Sequence, residues 1–191
     1  MHEYDLIADW YSTDHNLVTA IPEVTSLIAS LPAGASVLDV GCGNGIPVTR
    51  TLLAAGCHVL GVDSSAKMLA KFQVNCPGTP SVCSTIEACD LHGRMFDAAV
   101  AWGVIFHLTH AVQAMAIAKV SEALKPGGLF LFTSGDENGS VEGGVMNGVT
   151  FPYYSFTVDG YRDLLRTHGL TLIETHYDAG HNLYYLARRE S

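Results

Sequence analysis

The feature that most constrains this chain is the stretch Leu38-Asp39-Val40-Gly41-Cys42-Gly43-Asn44-Gly45, a short apolar run that breaks into glycine at every second position. Such a run against a glycine turn reads as a buried parallel strand leading into a helix. Pro47 suits the first turn of that helix, where its missing N–H leaves nothing unpaired, and the helix is expected to reach about Ala55. A dinucleotide fingerprint would place its third glycine three residues after the second, where this chain has Ile46. A pyrophosphate has to rest on a helix N-terminus. A ligand without phosphates needs only close backbone approach, which glycine permits.

The pattern then repeats. Residues 58–62, 80–84, 96–101 and 129–133 read as further strands, and residues 64–75 and 111–124 as helices between them, with Ser64 or Ser65 capping the first. Strands alternating with helices predict right-handed crossovers and a doubly wound α/β sheet. Ahead of the first strand, Tyr4, Ile7, Ala8 and Tyr11 fall at helical spacing, and residues 21–31 suggest a second helix. Residues 134–148 read as a loop, residues 159–168 as a last helix, and residues 170–174 and 182–187 as a closing strand pair.

With 191 residues the chain suits one domain, an N-terminal helical cap over 1–34 and a core over 35–191. At 48% hydrophobic and 15% charged residues it can bury a sizeable core. Ten Lys and Arg against nineteen Asp and Glu, a net charge of −9, argue against a wide interface with nucleic acid. No apolar run is long enough to span a membrane, and the first residues lack a secretion signal, so a cytoplasmic location is expected. The five cysteines are odd in number and no pair has a two-residue gap, which suits small apolar fillers of a reduced interior.

Asp63 closes the second strand, eighteen residues after Gly45, where a carboxylate can accept hydrogen bonds from both hydroxyls of a ribose or cap the next helix. Asp39, at the end of the first strand, can attract a cationic ligand or orient the turn. A glycine turn, a ribose acid and no pyrophosphate device together point to a nucleoside-type cofactor that carries positive charge.

On these residues the sequence resembles the class I S-adenosylmethionine-dependent methyltransferases, over most of its length. Residues 38–45 look like that family's first motif, Gly61-Val62-Asp63 its ribose acid, and Cys83-Ser84-Thr85-Ile86-Glu87 the segment that flanks the adenine. Residues 96–103 look like its fourth strand, which borders the methionine moiety, and Leu124-Lys125-Pro126-Gly127-Gly128 like the turn before its fifth. The resemblance implies a Rossmann-like, mostly parallel seven-stranded sheet with helices on both faces. It also implies S-adenosylmethionine as methyl donor, S-adenosylhomocysteine as product and a small-molecule acceptor that reacts at oxygen or nitrogen. As cofactor-binding residues it implies Tyr11, Asp39, Gly41, Gly43, Gly45, Asp63, Ser64, Met68, Thr85, Ile86, Ala101 and Trp102. Thr85 departs from the pattern, standing where the family usually has an aspartate for the adenine amino group; its hydroxyl or the Ile86 N–H could serve. Tyr4 and Tyr11 suit either a core stripe or the cofactor's carboxylate end.

Transfer from a sulfonium chiefly requires an acceptor held in line with the methyl group. An oxygen or nitrogen acceptor must also lose a proton, for which His107 and His15 are the candidates. His110 reads as a surface residue, and His176 and His181 as structural. Tyr153 and Tyr154 are expected to wall an acceptor pocket or simply pack the loop. Asp136, Glu137 and Asn138 read as a solvated loop and not a metal site. Two other readings stay open: a cofactor-binding sensor or accessory subunit without catalysis, and a nicotinamide dehydrogenase.

Overall fold

The computed structural model describes residues 3–14, 20–141 and 143–190. Helices α1 (Glu3–Asp14) and α2 (Ile21–Ala29) lead into strand β1 (Ser36–Val40), helix α3 (Val48–Ala54) and strand β2 (His58–Asp63). Helix α4 (Ala66–Asn75), the short β3 (Ser81–Cys83) and β4 (Phe96–Ala101) follow. After a 3-10 turn at Ile105–His107 come α5 (His110–Ala123) and β5 (Leu124–Thr133). Four short strands, β6 (Gly139–Val141), β7 (Val145–Met146), β8 (Val149–Thr150) and β9 (Tyr153–Ser155), precede α6 (Val158–Thr167), β10 (Leu170–Tyr177) and β11 (Leu183–Arg189).

The main sheet has seven strands in the order β10-β11-β5-β4-β1-β2-β3. Strands β1 to β5 pair in parallel, while β11 runs antiparallel to both β5 and β10. The chain moves outward from β1 to β3 and then returns to the other side of β1 as β4. That reversal splays the loops following β1 and β4 and opens a crevice at the carboxyl ends of the strands.

Strand alternation sends neighbouring residues to opposite layers. Leu38 and Val40 of β1, Ala99 and Ala101 of β4, and Phe130 and Phe132 of β5 join one buried cluster with residues of α5 and α6. Val37, Ala98, Val100, Leu129 and Leu131 join the other, with Val24 and Leu27 of α2 and Leu52 of α3. Both faces are covered, as a parallel sheet requires.

Two elements differ from the sequence expectation. Strand β5 begins at Leu124 and not at residue 129, because Leu124 pairs with Phe96 and a register shift absorbs the Lys125-Pro126-Gly127-Gly128 stretch. The Lys125 ammonium holds that stretch down at 2.8 Å from the Asp97 carboxylate. The expected 134–148 loop contains β6, paired with β9, and β7, paired with β8. These strands are only two or three residues long and carry no apolar alternation that a sequence could show.

Candidate active site

The glycine loop after β1 bends by left-handed residues, with φ of +67° at Gly41, +53° at Gly43 and +83° at Gly45. Their surroundings separate their roles. A Cβ on Gly41 would stand 2.7 Å from Val104 Cβ, and one on Gly45 would stand 2.7 Å from Cys76 Sγ. A Cβ on Gly43 would meet no atom within 4 Å. Gly41 and Gly45 therefore allow protein to pack against the loop, while Gly43 leaves a cradle on the crevice side. Gly45 does not line the crevice, contrary to its expected cofactor contact; α4 occupies the space beside it.

The Asp63 carboxylate ties this loop to the next. Oδ2 accepts from the Gly43 N–H at 2.9 Å and Oδ1 from the Ser65 N–H at 2.8 Å. An ionised carboxylate offers about four lone-pair sites, so one side chain can tie both loops together. Ser65, not Ser64, caps α4 by accepting from the Met68 N–H at 3.1 Å. Asp39 is 2% exposed and accepts from the Thr49 hydroxyl at 2.5 Å. Burial pushes its carboxyl up to about 7, the charge of Asp63 adds to the rise, and the Thr49 bond opposes it.

Helix α1 closes one side of the crevice. The Ser65 hydroxyl donates to Asp5 at 2.6 Å, Lys71 pairs with Asp9 at 2.8 Å, and the Asn44 amide donates to the Ser12 hydroxyl at 3.3 Å. So anchored, α1 presents Tyr4 and Tyr11 to the cavity. Burial raises Tyr4 well above the ordinary phenol value and Tyr11 to about 12, so both remain protonated donors at neutral pH.

A cavity of about 230 Å³ runs from Gly43 and Asp63 to the turn after β3, walled by Ser64, Met68, Thr85 and Ile86. Its other end reaches Trp102 and His107. A second space of about 400 Å³ shares Tyr4, Tyr11, Gly43 and His107 with the first and adds Asp39. A third, about 490 Å³, meets the second at Phe106, Thr133, Tyr153 and Asn182 and carries Tyr154 on its wall. The three adjoin one another along these shared walls. No lysine or arginine is among the described residues that line them.

Where the first two spaces meet, the Tyr4 hydroxyl and His107 Nε2 lie 2.9 Å apart. Phe151 packs on both rings, at 4.9 Å from Tyr4 and 5.4 Å from His107, and Phe106 and Tyr153 flank the imidazole at 4.6 and 5.2 Å. A buried network holds this wall in place. Gln113, fully buried, donates to the Leu108 and Tyr154 carbonyls, each at 2.9 Å, and accepts from the Tyr161 hydroxyl at 2.7 Å. Tyr161 in turn bonds Ser134.

Of the expected site residues, Tyr11, Asp39, Gly41, Gly43, Asp63, Ser64, Met68, Thr85, Ile86, Trp102, His107, Tyr153 and Tyr154 line the cleft. Ala101 does not: it is fully buried and its strand position faces the α5 layer. His15 lies outside the described residues. His110, expected at the surface, is half-buried, hydrogen-bonded to the Ser155 carbonyl at 2.8 Å and packed on Phe156. His181 lies on the rim of the third space. The five cysteines are unpaired and all but Cys83 are buried. Among the described residues no cluster is arranged to hold a metal ion, and none of the helices is long and apolar enough to cross a membrane.

Sequence reasoning missed Glu3, Phe151 and the Gln113 network. Phe151 stood beside the tyrosines already singled out, but Gln113 gives no signal, since a lone glutamine on a helix is ordinarily solvated.

Residues 37–128 match a family described as a methyltransferase domain. The mitochondrial ubiquinone biosynthesis O-methyltransferase of Mus musculus is 36% identical over 110 residues, 53% of this chain and 29% of that protein. A tRNA U34 carboxymethyltransferase of Hahella chejuensis is 37% identical over 116 residues, 55% of this chain and 35% of that one. The chain spans less than half the length of these curated relatives. Among solved structures, the CcbJ methyltransferase from Streptomyces caelestis superposes with a TM-score of 0.79 at 21% identity, covering 99% of this chain and 98% of that one. The 1,6-didemethyltoxoflavin-N1-methyltransferase of Burkholderia thailandensis, solved with bound 1,6-didemethyltoxoflavin and S-adenosylhomocysteine, gives 0.71 at 25% identity over 98% of this chain and 88% of that one. The cleft suits S-adenosylmethionine, with a cradle at Gly43, the Asp63 carboxylate beside it and no lysine or arginine among the described lining residues to repel a sulfonium. Residues 37–128 thus match a methyltransferase domain, and the whole chain has the fold of these solved methyltransferases.

Proposed function

We propose that this chain transfers a methyl group from S-adenosylmethionine to the oxygen or nitrogen of a small molecule. The observation that carries the reading is the row of adjoining spaces, from Asp63 past His107 to the one walled by Tyr153 and Tyr154. One end suits a nucleoside and the other an acceptor, with their junction beyond the end of β4.

When bound, the cofactor supplies an electrophilic methyl on a sulfonium leaving group. Asp63 holds the ribose hydroxyls, while Gly41, Gly43 and Ser64 form the floor. Met68, Thr85 and Ile86 border the base, and Asp39, Tyr11 and Trp102 surround the charged amino-acid end. The Asp63 carboxylate favours a cation there, and a bound cation would in turn favour the ionised form of Asp39. Tyr153 and Tyr154, with Phe106, hold a flat acceptor, and orientation of that acceptor supplies much of the rate. His107 takes the acceptor's proton, with the Tyr4 hydroxyl fixing the imidazole. The aromatic collar of Phe106, Phe151 and Tyr153 excludes water from this junction.

We further propose that residues 1–191 act as one methyltransferase domain, with residues 1–34 as the cap over its site and residues 35–191 as the core. A cleft wall free of lysine and arginine and a net charge of −9 support a small-molecule acceptor over a nucleic acid. Unpaired cysteines suit a reducing compartment such as the cytoplasm.

The test is incubation of the full chain with methyl-labelled S-adenosylmethionine and a panel of phenols, catechols, amino sugars and ring-nitrogen heterocycles, with RNA as a separate arm. Label transfer to a small molecule supports the reading. Tight S-adenosylhomocysteine binding with no transfer to any arm favours a sensor. A thermal shift with NAD and none with S-adenosylhomocysteine favours a dehydrogenase.

A further inference from the structure

The third space is more than a room for a flat ring. At its inner end, where it meets the second space, Phe106 and Tyr153 stand edge to face at 5.3 Å, and Tyr154 also lines it. Asp136 and Glu137, expected in a solvated loop, line it too, together with Tyr177 from the end of β10. None of these last three borders the first or second space, so they mark the end remote from His107. Tyr177 keeps 59% of its surface open, which leaves its ring available to a ligand.

The stretch that bears the two acids is fixed from several sides. The Ser134 N–H donates to the Leu183 carbonyl at 3.0 Å, the Tyr185 hydroxyl to the Gly135 carbonyl at 2.7 Å, and the Ser155 hydroxyl to the Glu137 carbonyl at 2.6 Å. The Tyr177 hydroxyl donates to Asp136 Oδ2 at 2.7 Å. That bond above all, with some burial and the charges of Asp136 and Glu137, holds the Tyr177 phenol above its ordinary value. Both carboxylates therefore act on the place where this ring stands. No lysine or arginine is among the described residues that line the space, so the protein supplies no fixed cation there. An aromatic face attracts a cation, and a carboxylate attracts it further. The same wall repels a carboxylate or phosphate on an acceptor.

We propose that the methyl acceptor carries a protonated amine remote from the atom that is methylated, and that Asp136 and Glu137, with the Tyr177 ring, hold this ammonium at the outer end of the third space. This rests on the reading of the adjoining spaces as a methyltransferase site. The reacting oxygen or nitrogen then lies toward His107, with the body of the acceptor between Phe106, Tyr153 and Tyr154. Asp136 and Glu137 set which acceptors are taken without touching the reacting atoms. A partly exposed ion pair and a cation–ring contact together amount to about tenfold in affinity.

The test uses the full chain saturated with S-adenosylhomocysteine and three 4-hydroxyphenyl compounds with the same two-carbon arm, titrated by saturation-transfer NMR at pH 8, where an alkylamine is protonated. Tyramine ends its arm in an ammonium, 4-ethylphenol carries no charge, and 3-(4-hydroxyphenyl)propanoate ends in a carboxylate. The wild-type chain should bind tyramine about tenfold more tightly than 4-ethylphenol, and the propanoate more weakly than either. Asp136→Asn combined with Glu137→Gln should bring tyramine to within about threefold of 4-ethylphenol, with S-adenosylhomocysteine affinity measured in parallel as the report of a folded site. Glu122→Gln removes a charge at the end of α5, at the opposite edge of the sheet, and should keep the preference. Equal wild-type affinity for the three phenols, binding of none of them, a preference that survives the double variant, or one that falls as far in Glu122→Gln would overturn the assignment. Absence of S-adenosylhomocysteine binding by the wild-type chain would instead overturn the cofactor reading on which it depends.

Discussion

Substituting alanine at Gly43 and at Gly45 separates the cradle from the packing contact. Both residues have positive φ, at +53° and +83°. An L-residue there is strained by about 1–2 kcal/mol. A stiffer unfolded chain returns about 0.4–1 kcal/mol of that. At Gly43 nothing else enters the protein's own balance, because the new methyl meets no atom within 4 Å. Net destabilisation should be about 1 kcal/mol. The methyl projects into the space where the cofactor must approach, and an overpacked contact of about 1–3 kcal/mol translates into a loss of affinity of about 5- to 150-fold. At Gly45 the methyl would stand 2.7 Å from Cys76 Sγ and 3.1 Å from Phe72 Cδ2. Overpacking then adds to the backbone strain, for a total of about 2–4 kcal/mol of stability, with only a small change in binding. Urea unfolding and calorimetric titration with S-adenosylhomocysteine measure the two quantities. Gly43→Ala binding within about threefold of wild type, or Gly45→Ala losing affinity while keeping its stability, would refute this division of labour.

Asp39 should imprint a pH dependence on stability. Its folded pKa of about 7 lies above the ordinary 3.8, so between these values the folded chain holds a proton that the unfolded chain has lost. Stability therefore falls as pH rises through that window and levels off above it, by a few kcal/mol at most. Asp39→Asn should flatten the slope in urea titrations across the window, and an identical slope in the variant would contradict the assignment. His107→Ala should lower turnover about 100-fold while S-adenosylhomocysteine affinity stays within a few-fold of wild type. Tyr4→Phe, which removes the hydroxyl beside Nε2, should shift the pH–rate limb assigned to His107; unchanged rates in both variants would return the pair to packing. Gln113→Ala strands the Leu108 and Tyr154 carbonyls, leaves the Tyr161 hydroxyl with Ser134 alone and opens a cavity, so unfolding free energy should drop by about 3 kcal/mol. A loss below about 1 kcal/mol would mean that the network does not hold the wall.

The cofactor half of the cleft was legible in the sequence because local backbone chemistry builds it. Glycines at alternate positions after an apolar strand, and an acid at the end of the next strand, have few other uses. The three glycines nevertheless look alike in sequence. Only packing shows that Gly45 makes room for Cys76 and Phe72 while Gly43 faces open space. Ala101 was misassigned for a related reason: proximity along β4 does not say which face a residue takes, and one step of alternation turns it into the α5 layer. The acceptor half was far less legible. Tyr4, Gln113 and Phe151 come from distant parts of the chain, and the short strands over residues 139–155 have too little apolar patterning to announce their pairing.

The central claim is that an adenosyl nucleoside lies over Gly43 with its ribose held by Asp63. A crystal structure of the S-adenosylhomocysteine complex tests it most directly. Both ribose hydroxyls should lie within hydrogen-bond distance of the Asp63 carboxylate, with the base against residues 84–87 and the sulfur on the His107 side. A nucleoside seated elsewhere, or one whose sugar makes no contact with Asp63, would contradict the account.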